Sequence, residues 1–328
     1  MILTADQALK LVADALVRCN TTPANALAVA RALVAAEIDG QIGHGLRRVE
    51  SYGPQARSGK VDGHAVPQLA ATAAATARID AAAGFAYPAL ELACDWLARM
   101  APVAGIAACG VYRSHHCGVA GLWVERLAQS GLVGLMFANT PKAIPPAGGS
   151  APLFGTNPVA FAAPGQDGPL VIDLSLSVVA RGKIMAARQA GTPIPEGWAV
   201  DAEGRPTTDP ASALGGAMLA IGGAKGAALA LMVELLAAGL TGARYGHEAS
   251  DFFAAEGAPP GVGQLLIAIS PEALGGPGFS DRMASLAEAI LAQPGTRLPG
   301  SGKAARRARA AAEGFAIDDA VIAAIEAL

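Results

Sequence analysis

Short apolar runs of strand length alternate with helix-length segments along most of this chain, and that interleaving limits it to an α/β or α+β architecture. Thr4-Ala5-Asp6-Gln7 is a capping-box pattern that predicts a helix to about Arg18. Thr22-Pro23 supplies an N-cap and a first-turn proline for a second helix, which Gly40 ends. A helix is expected over 46–58 and a Gly/Pro-punctuated loop over 59–67. Helices over 85–100 and 118–130 flank a strand at 106–111, and a further strand follows at 131–138. A long loop over 141–158 leads to strands at 159–163 and 170–174. A helix over 177–190, a turn-rich stretch over 191–210, a buried helix over 224–240 and a strand at 264–270 precede a mostly helical end.

Composition narrows the function classes. The 328 residues are 52% hydrophobic and only 16% charged, enough to bury a large core. The net charge of −3 is spread along the chain and offers no broad basic face for nucleic acid. One short basic cluster, Lys303 to Arg309, reads as a solvated helix face or as a contact to a cofactor phosphate. The most apolar window, Ala224 to Leu240, is interrupted by Lys225 and Glu234. It falls short of the ~20 residues of a membrane span. The N-terminus lacks the basic-then-apolar pattern of a signal peptide. Cys19, Cys94, Cys109 and Cys117 form no CxxC pair, so reduced thiols and a cytoplasmic setting are expected.

No G-x-G-x-x-G follows a strand, so the Rossmann fingerprint is missing. The P-loop, H-E-x-x-H and G-x-S-x-G patterns are missing too. The chemistry-bearing residues lie elsewhere. His44 and Arg48 share one helix face if their segment is helical. An arginine grips a carboxylate through two parallel hydrogen bonds, and histidine is the usual proton mover near neutral pH. A surface pair without a role is the alternative. His115-His116 precede Gly118 after a strand, a place suited to approaching a ligand. No Asp, Glu or Cys stands at ligand spacing, so no metal is expected. The 148–158 loop, with Thr156 and Asn157, offers amides for an anion or serves as a tight crossover. Gly222-Gly223-Ala224-Lys225-Gly226 opens a helix, where backbone N–H groups beside a lysine make an anion site or simply a helix start.

Together these segments resemble the malate/L-lactate dehydrogenase family that lacks a Rossmann fold. Its relatives include ureidoglycolate and sulfolactate dehydrogenases and Δ1-piperideine/pyrroline-2-carboxylate reductases. The motifs are Gly43-His44-Gly45 with Arg48, His116-Cys117-Gly118, Phe154-Gly155-Thr156-Asn157-Pro158, Asp173-Leu174-Ser175, Gly182-Lys183-Ile184, Ile194-Pro195-Glu196-Gly197-Trp198 and Gly222-Gly223-Ala224-Lys225-Gly226. The resemblance implies an NAD- or NADP-dependent oxidoreductase, a homodimer, acting on a small carboxylate. It implies a mixed, largely antiparallel sheet over 71–279 that binds cofactor and substrate. A mainly helical domain from 1–70 with 280–328 would accompany it. His116 would be the proton donor/acceptor, His44 its neighbour at the nicotinamide and Arg48 the carboxylate clamp. Thr156 and Asn157 would touch substrate. His116, Cys117, Gly118, Thr140, Asp173, Leu174, Ser175, Lys225 and the Leu298-Pro299-Gly300 turn would line the cofactor. The family commonly has Ser-His-Gly where this chain has Gly43-His44-Gly45, and the imine reductases' relay Asp falls near Lys183. These departures favour 2-hydroxy/2-oxo acid chemistry. Ser114-His115-His116 and Pro152-Leu153-Phe154-Gly155 resemble the imine-reductase branch, which stays as the alternative.

Overall fold

The computed structural model describes residues 1–328. Strand β1 (Ile2–Leu3) leads into α1 (Ala5–Arg18), whose N-terminus carries the expected capping box: the Gln7 N–H donates to Thr4 Oγ1 and the Thr4 N–H to Gln7 Oε1. Helix α2 (Pro23–Ile38) is capped by Thr22, and α3 (Val49–Ser58) ends at Gly59, whose left-handed φ of 78° suits glycine. A hairpin of β2 (Gln68–Ala73) and β3 (Thr76–Asp80) follows, in Ala/Thr-rich sequence whose weak alternation gave no signal.

The chain then alternates as expected: α4 (Ala86–Ala104), β4 (Ile106–Ser114), α5 (Ala120–Gln129), β5 (Val133–Ala138), β6 (Val159–Ala163) and β7 (Leu170–Leu174). Helix α6 (Arg181–Ala190) starts four residues later than the sequence suggests, because Ser177 bridges to Ala220 in extended form. The turn-rich stretch contains β8 (Ala199–Val200) and β9 (Pro206–Thr207); α7 (Pro210–Gly215) follows, and β10 (Ala217–Met218) joins β8 and β9 in a small antiparallel sheet. After α8 (Ala224–Glu234) and one π turn comes β11 (Val262–Ile269). Helices α9 (Pro271–Gly275), α10 (Phe279–Leu291) and α11 (Lys303–Glu313), strand β12 (Phe315–Ala316) and α12 (Asp319–Glu326) complete the chain.

The main sheet has seven strands in the order β2-β3-β4-β11-β5-β6-β7. Only β3 and β4 run parallel, so the sheet is mixed and largely antiparallel. Its register places the site. Ser114 pairs with Val262, Ala138 with Gln264, Phe137 with Val159, and Val159 with Leu174. The segments after β4, after β5, before β6, after β7 and before β11 therefore all emerge from one end of the sheet.

One core joins α1, α2, α3 and α12 to α4, α5 and the sheet, and a second lies under α6–α8 and the small sheet. Within 280–328, α11 and α12 pack on the N-terminal helices, whereas α10 lies beside the 165–168 turn. Two sequence expectations need correction. The 224–240 helix is not buried all round: Leu229, Met232, Leu235 and Leu240 are exposed along its outer face. The basic cluster is not a freely solvated face either. Arg307 grips the buried carboxylates of Asp39 and Glu125 at 2.6–2.8 Å, and Lys303 stands 3.5 Å from Asp39. Two buried carboxylates need such partners, and they draw the helix against α2 and α5.

Candidate active site

The Gly43–Arg48 segment is not one helix. Two 3₁₀ turns, Ile42–His44 and Leu46–Arg48, meet at Gly45. Glu37 near the end of α2 causes the break. Its Oε2 accepts the Leu46 N–H at 2.8 Å, and a Cβ at Gly45 would overlap its carboxylate. Burial raises the Glu37 pKa, while the Leu46 N–H and Arg47 pull it down. His44 and Arg48 thus meet through a kink fixed by a carboxylate, rather than by the i,i+4 spacing of a helix.

The kink carries His44 onto His116. Their rings stack with centroids 5.1 Å apart and planes 15° apart. His116 leaves the end of β4, where Arg113 takes a left-handed φ of 50°. Its Nδ1 is 2.6 Å from the Tyr52 hydroxyl, which lies 3.0 Å from the Tyr87 hydroxyl. Both tyrosines are fully buried, and burial pushes the Tyr52 hydroxyl up to about 12. Nδ1 is thereby engaged, and Nε2 is the ring nitrogen left for a ligand. Tyr52 lies in the first turn of α3, four residues beyond the Arg48 that caps it, a spacing in the sequence that would have pointed to it.

Arg48 is half-buried. Its Nε donates to the Gly43 carbonyl at 2.8 Å, and its Cζ lies 4.8 Å from the Phe253 ring centroid. Nη1 is buried without a partner. A guanidinium tethered at Nε and covered on one face keeps its Nη1/Nη2 edge without a protein partner, and that is the edge that takes a carboxylate end-on. His44 Nδ1 is likewise buried and unpartnered.

All three histidines are held neutral. Burial first, and then the Arg48 charge, bring His44 to about 4 and His115 to about 3, and hold His116 well below its ordinary range. His115 is a packing residue. It is 1% exposed, both ring nitrogens lack partners, and Tyr52, Phe85 and Phe252 surround the ring. Phe252 also walls His116 at 5.2 Å. The aromatic pair Phe252-Phe253, in a polar loop, is a signal that sequence reading passed over.

The remaining expected residues form a rim leading away from His116. The Gly121 N–H, at the start of α5 just past Gly118, donates to Asp173 Oδ2 at 2.7 Å. Burial raises the Asp173 pKa, with Gly121 and Lys303 opposing. Gly300, in the 298–300 turn, approaches the Val171 carbonyl on the same strand. Leu174 is exposed, Ser175 hydrogen-bonds Ser177, and Leu176 pairs with Ile221 just before the Gly222-Gly223 turn. Those glycines take φ of 62° and 61°, and a Cβ on either would meet nothing within 4 Å. The N-terminus of α8 and the exposed Lys225 therefore face open space, where backbone N–H groups and a lysine suit an anion.

Four residues differ from expectation in how they are engaged. Asn157 is fully buried at a φ of 42°. Its Nδ2 donates to the Ala230 carbonyl and Glu234, and its Oδ1 accepts from the Thr140 N–H, so the side chain is engaged inside the fold instead of at substrate. Thr140 Oγ1 accepts the Thr156 N–H, which locks those two loop ends together. Cys117 is buried, with its thiol pushed up to about 12, and its carbonyl accepts the Trp123 indole N–H at 3.0 Å. A cleft of about 480 Å³ at the opposite end of the sheet, between Pro102, Ser130, Pro271 and Asp281, holds none of these groups.

The profile of the malate/L-lactate dehydrogenase family matches residues 3–326. The chain belongs to this family. Within the malate/L-lactate dehydrogenase family it is 51% identical over 295 residues to a (2R)-3-sulfolactate dehydrogenase (NADP(+)) of Chromohalobacter salexigens, covering 89% of this chain and 87% of that protein. It is 45% identical over 301 residues to a Δ1-pyrroline-2-carboxylate/Δ1-piperideine-2-carboxylate reductase of Pseudomonas putida, covering 89% and 87%. The crystal structure of a Δ1-piperideine-2-carboxylate reductase from Pseudomonas syringae superposes with a TM-score of 0.94 at 39% identity, over 100% of this chain and 99% of that one. The chain is an oxidoreductase of this malate/L-lactate dehydrogenase family.

Proposed function

We propose that the protein interconverts a small 2-hydroxy acid and its 2-oxo acid, with His116 moving the proton and Arg48 holding the carboxylate. The observation that carries this is the convergence of His116, stacked on His44 and backed by Tyr52, with the unpartnered Nη1 of Arg48 in one cluster. A nicotinamide cofactor, bound along the rim from His116 to Lys225 and the 298–300 turn, would give or take the hydride. The NADP(+) dependence in the name of the 51% identical sulfolactate dehydrogenase supports NADP(H) ahead of NAD(H).

In oxidation the neutral His116 accepts the substrate hydroxyl proton at Nε2 while Nδ1–H donates to the Tyr52 oxygen. In reduction the same nitrogen returns the proton to the forming alkoxide. The Tyr52 and Tyr87 hydroxyls turn to serve either tautomer. A carboxylate on Arg48 cancels the charge that helps hold His116 neutral, so the imidazolium forms most readily when acid is bound. Arg48 also fixes which face of the reacting carbon is presented.

The second reading is a Δ1-pyrroline/Δ1-piperideine-2-carboxylate reductase, favoured by the names of several relatives. Gly43 favours the first: it supplies no hydroxyl to His44, whose Nδ1 is unpartnered. A panel of sulfopyruvate, oxaloacetate, pyruvate and both cyclic imines, followed by nicotinamide absorbance with each cofactor, separates them. Higher kcat/KM on an imine than on every 2-oxo acid would overturn the first reading.

Arg48→Lys removes the bidentate edge. Its expected result is a KM for the acid raised by about 1.5–3 kcal/mol in binding terms, with cofactor affinity unchanged. A lowered cofactor affinity at constant acid KM would remove the clamp from the reading.

A second copy of the chain is the proposed partner, and four free cysteines are compatible with a cytoplasmic setting. No helix is long and apolar enough to cross a membrane. The exposed stripe of Leu229, Met232, Leu235 and Leu240 supports self-association. Leu235→Glu is expected to convert a dimer to monomers in sedimentation velocity; a variant that stays dimeric would put the interface elsewhere.

A further inference from the structure

Helix α3 carries more than Tyr52. Its C-terminal half and the turn after it hold the loop that supplies Phe252 and Phe253. Gln55 is fully buried, and its Nε2 donates to the carbonyls of Phe252 at 2.8 Å and Ala254 at 3.0 Å. Ser58 Oγ donates to the Ala255 carbonyl at 2.6 Å. Gly59 then turns the chain into Lys60, which is 2% exposed. The Lys60 Nζ donates to the Asp251 carbonyl at 2.6 Å and the Ala254 carbonyl at 2.9 Å. A lysine is almost never this buried unless it is paired. Here its partners are main-chain oxygens, and burial lowers its proton affinity while the Asp251 charge supports it.

The loop so held does two things. It sets Phe252 against both His115 and His116, and it lays Phe253 on the face of the Arg48 guanidinium. With Nε fixed on Gly43 and one face on Phe253, the plane of the guanidinium has little freedom. End-on capture of a carboxylate depends on that plane.

We propose that Lys60 is a positioning residue for carboxylate recognition: it fixes the 251–254 turn so that Phe253 sets the plane of Arg48 and Phe252 walls His116. This rests on the carboxylate-binding role of Arg48 in the proposed function. Loss of the clamp therefore appears in the affinity for the acid and not in the affinity for the cofactor.

The test is Lys60→Met, which keeps the length and removes the donors. The expected result is a KM for the acid raised roughly tenfold or more, the size of a lost charge-assisted contact, with an unchanged Kd for the nicotinamide cofactor. Hydrogen exchange at amides 251–256 is expected to speed up. Phe253→Ala, at a position already 39% exposed, is expected to raise the KM similarly. The double variant should be no worse than the worse single one, because both act through one contact. Additive effects, or an unchanged KM in Lys60→Met, would overturn the proposal. If Lys60→Met does not fold, an unchanged KM in Phe253→Ala overturns it equally. A wild-type protein that turns over no acid and no imine sinks the function reading by itself. Exchange at 251–256 and calorimetric titration with oxalate then decide the clamp: equal exchange and equal affinity in Lys60→Met and wild type would overturn it.

Discussion

His116→Ala is expected to lower turnover by roughly 10²–10⁴-fold, the range for loss of a positioned general acid/base. The expectation follows from geometry. Nδ1 of His116 is engaged by the fully buried Tyr52 hydroxyl, which leaves Nε2 for a ligand, and the Arg48 charge acts on the same ring. No neighbouring side chain is placed to replace it. His44 stacks on the ring face and not in its plane, and the Tyr52 hydroxyl sits behind the ring. Cofactor affinity in the variant should fall far less than turnover, because the proposed cradle at Gly222, Gly223 and Lys225 is built by other segments. His115→Phe is the matched control, since that ring packs and makes no side-chain hydrogen bond. It should keep most of the activity. Equal losses in the two variants would remove His116 from the chemistry.

A large loss of thermal stability is expected as the pH falls below about 6.5, where an ordinary histidine titrates. His44 at about 4, His115 at about 3 and His116 well below its usual range all bind protons more weakly folded than unfolded. The unfolded chain therefore takes up more protons on acidification. The stability is complete above the ordinary value and drains away towards the folded values. Each such histidine contributes at most ~1.4 kcal/mol per pH unit across its window. His115 is the firmest contributor because it is 1% exposed, whereas His44 is half-buried and water screens it. Glu37 and Asp173 act in the opposite sense, since burial raises both and protonation then favours the folded state, so the net slope is shallower. Thermal melts at about pH 7.5 and about pH 5 check this, with His115→Phe losing less than wild type. A wild-type Tm that does not move between them would contradict the buried neutral histidines.

Much of the architecture was legible because its elements are locally specified. The Thr4 capping box, the Thr22-Pro23 start and the apolar runs of β4 to β7 and β11 carry periodicity and punctuation that need no tertiary context. The β2–β3 hairpin was not legible, because an Ala/Thr-rich ribbon with mostly exposed side chains has no apolar alternation to read. The outer face of α8 was misread as buried, since apolar residues look alike whether they meet a core or another surface. At the candidate site, His44, Arg48 and His116 were singled out from residue type and glycine context, and the structure stacks His44 on His116 with the Arg48 charge beside them. The kink at Gly45 was not, because the carboxylate that forces it comes from Glu37 on the preceding helix. Lys60 and Gln55 were invisible for the same reason: their partners are main-chain oxygens almost two hundred residues away. Asn157 shows the converse, a polar loop residue that suggests a ligand contact and is engaged by Glu234 and Ala230.

In the proposed reaction Arg48 grips the carboxylate of the molecule whose oxygen or nitrogen His116 protonates. The most direct measurement compares kcat/KM for each acid that is turned over with that of its neutral carboxamide, in wild type and in Arg48→Lys. A large preference for the acid is expected in wild type, and it should collapse in Arg48→Lys. Equal use of acid and amide by the wild-type protein, or a preference that survives Arg48→Lys intact, would contradict it.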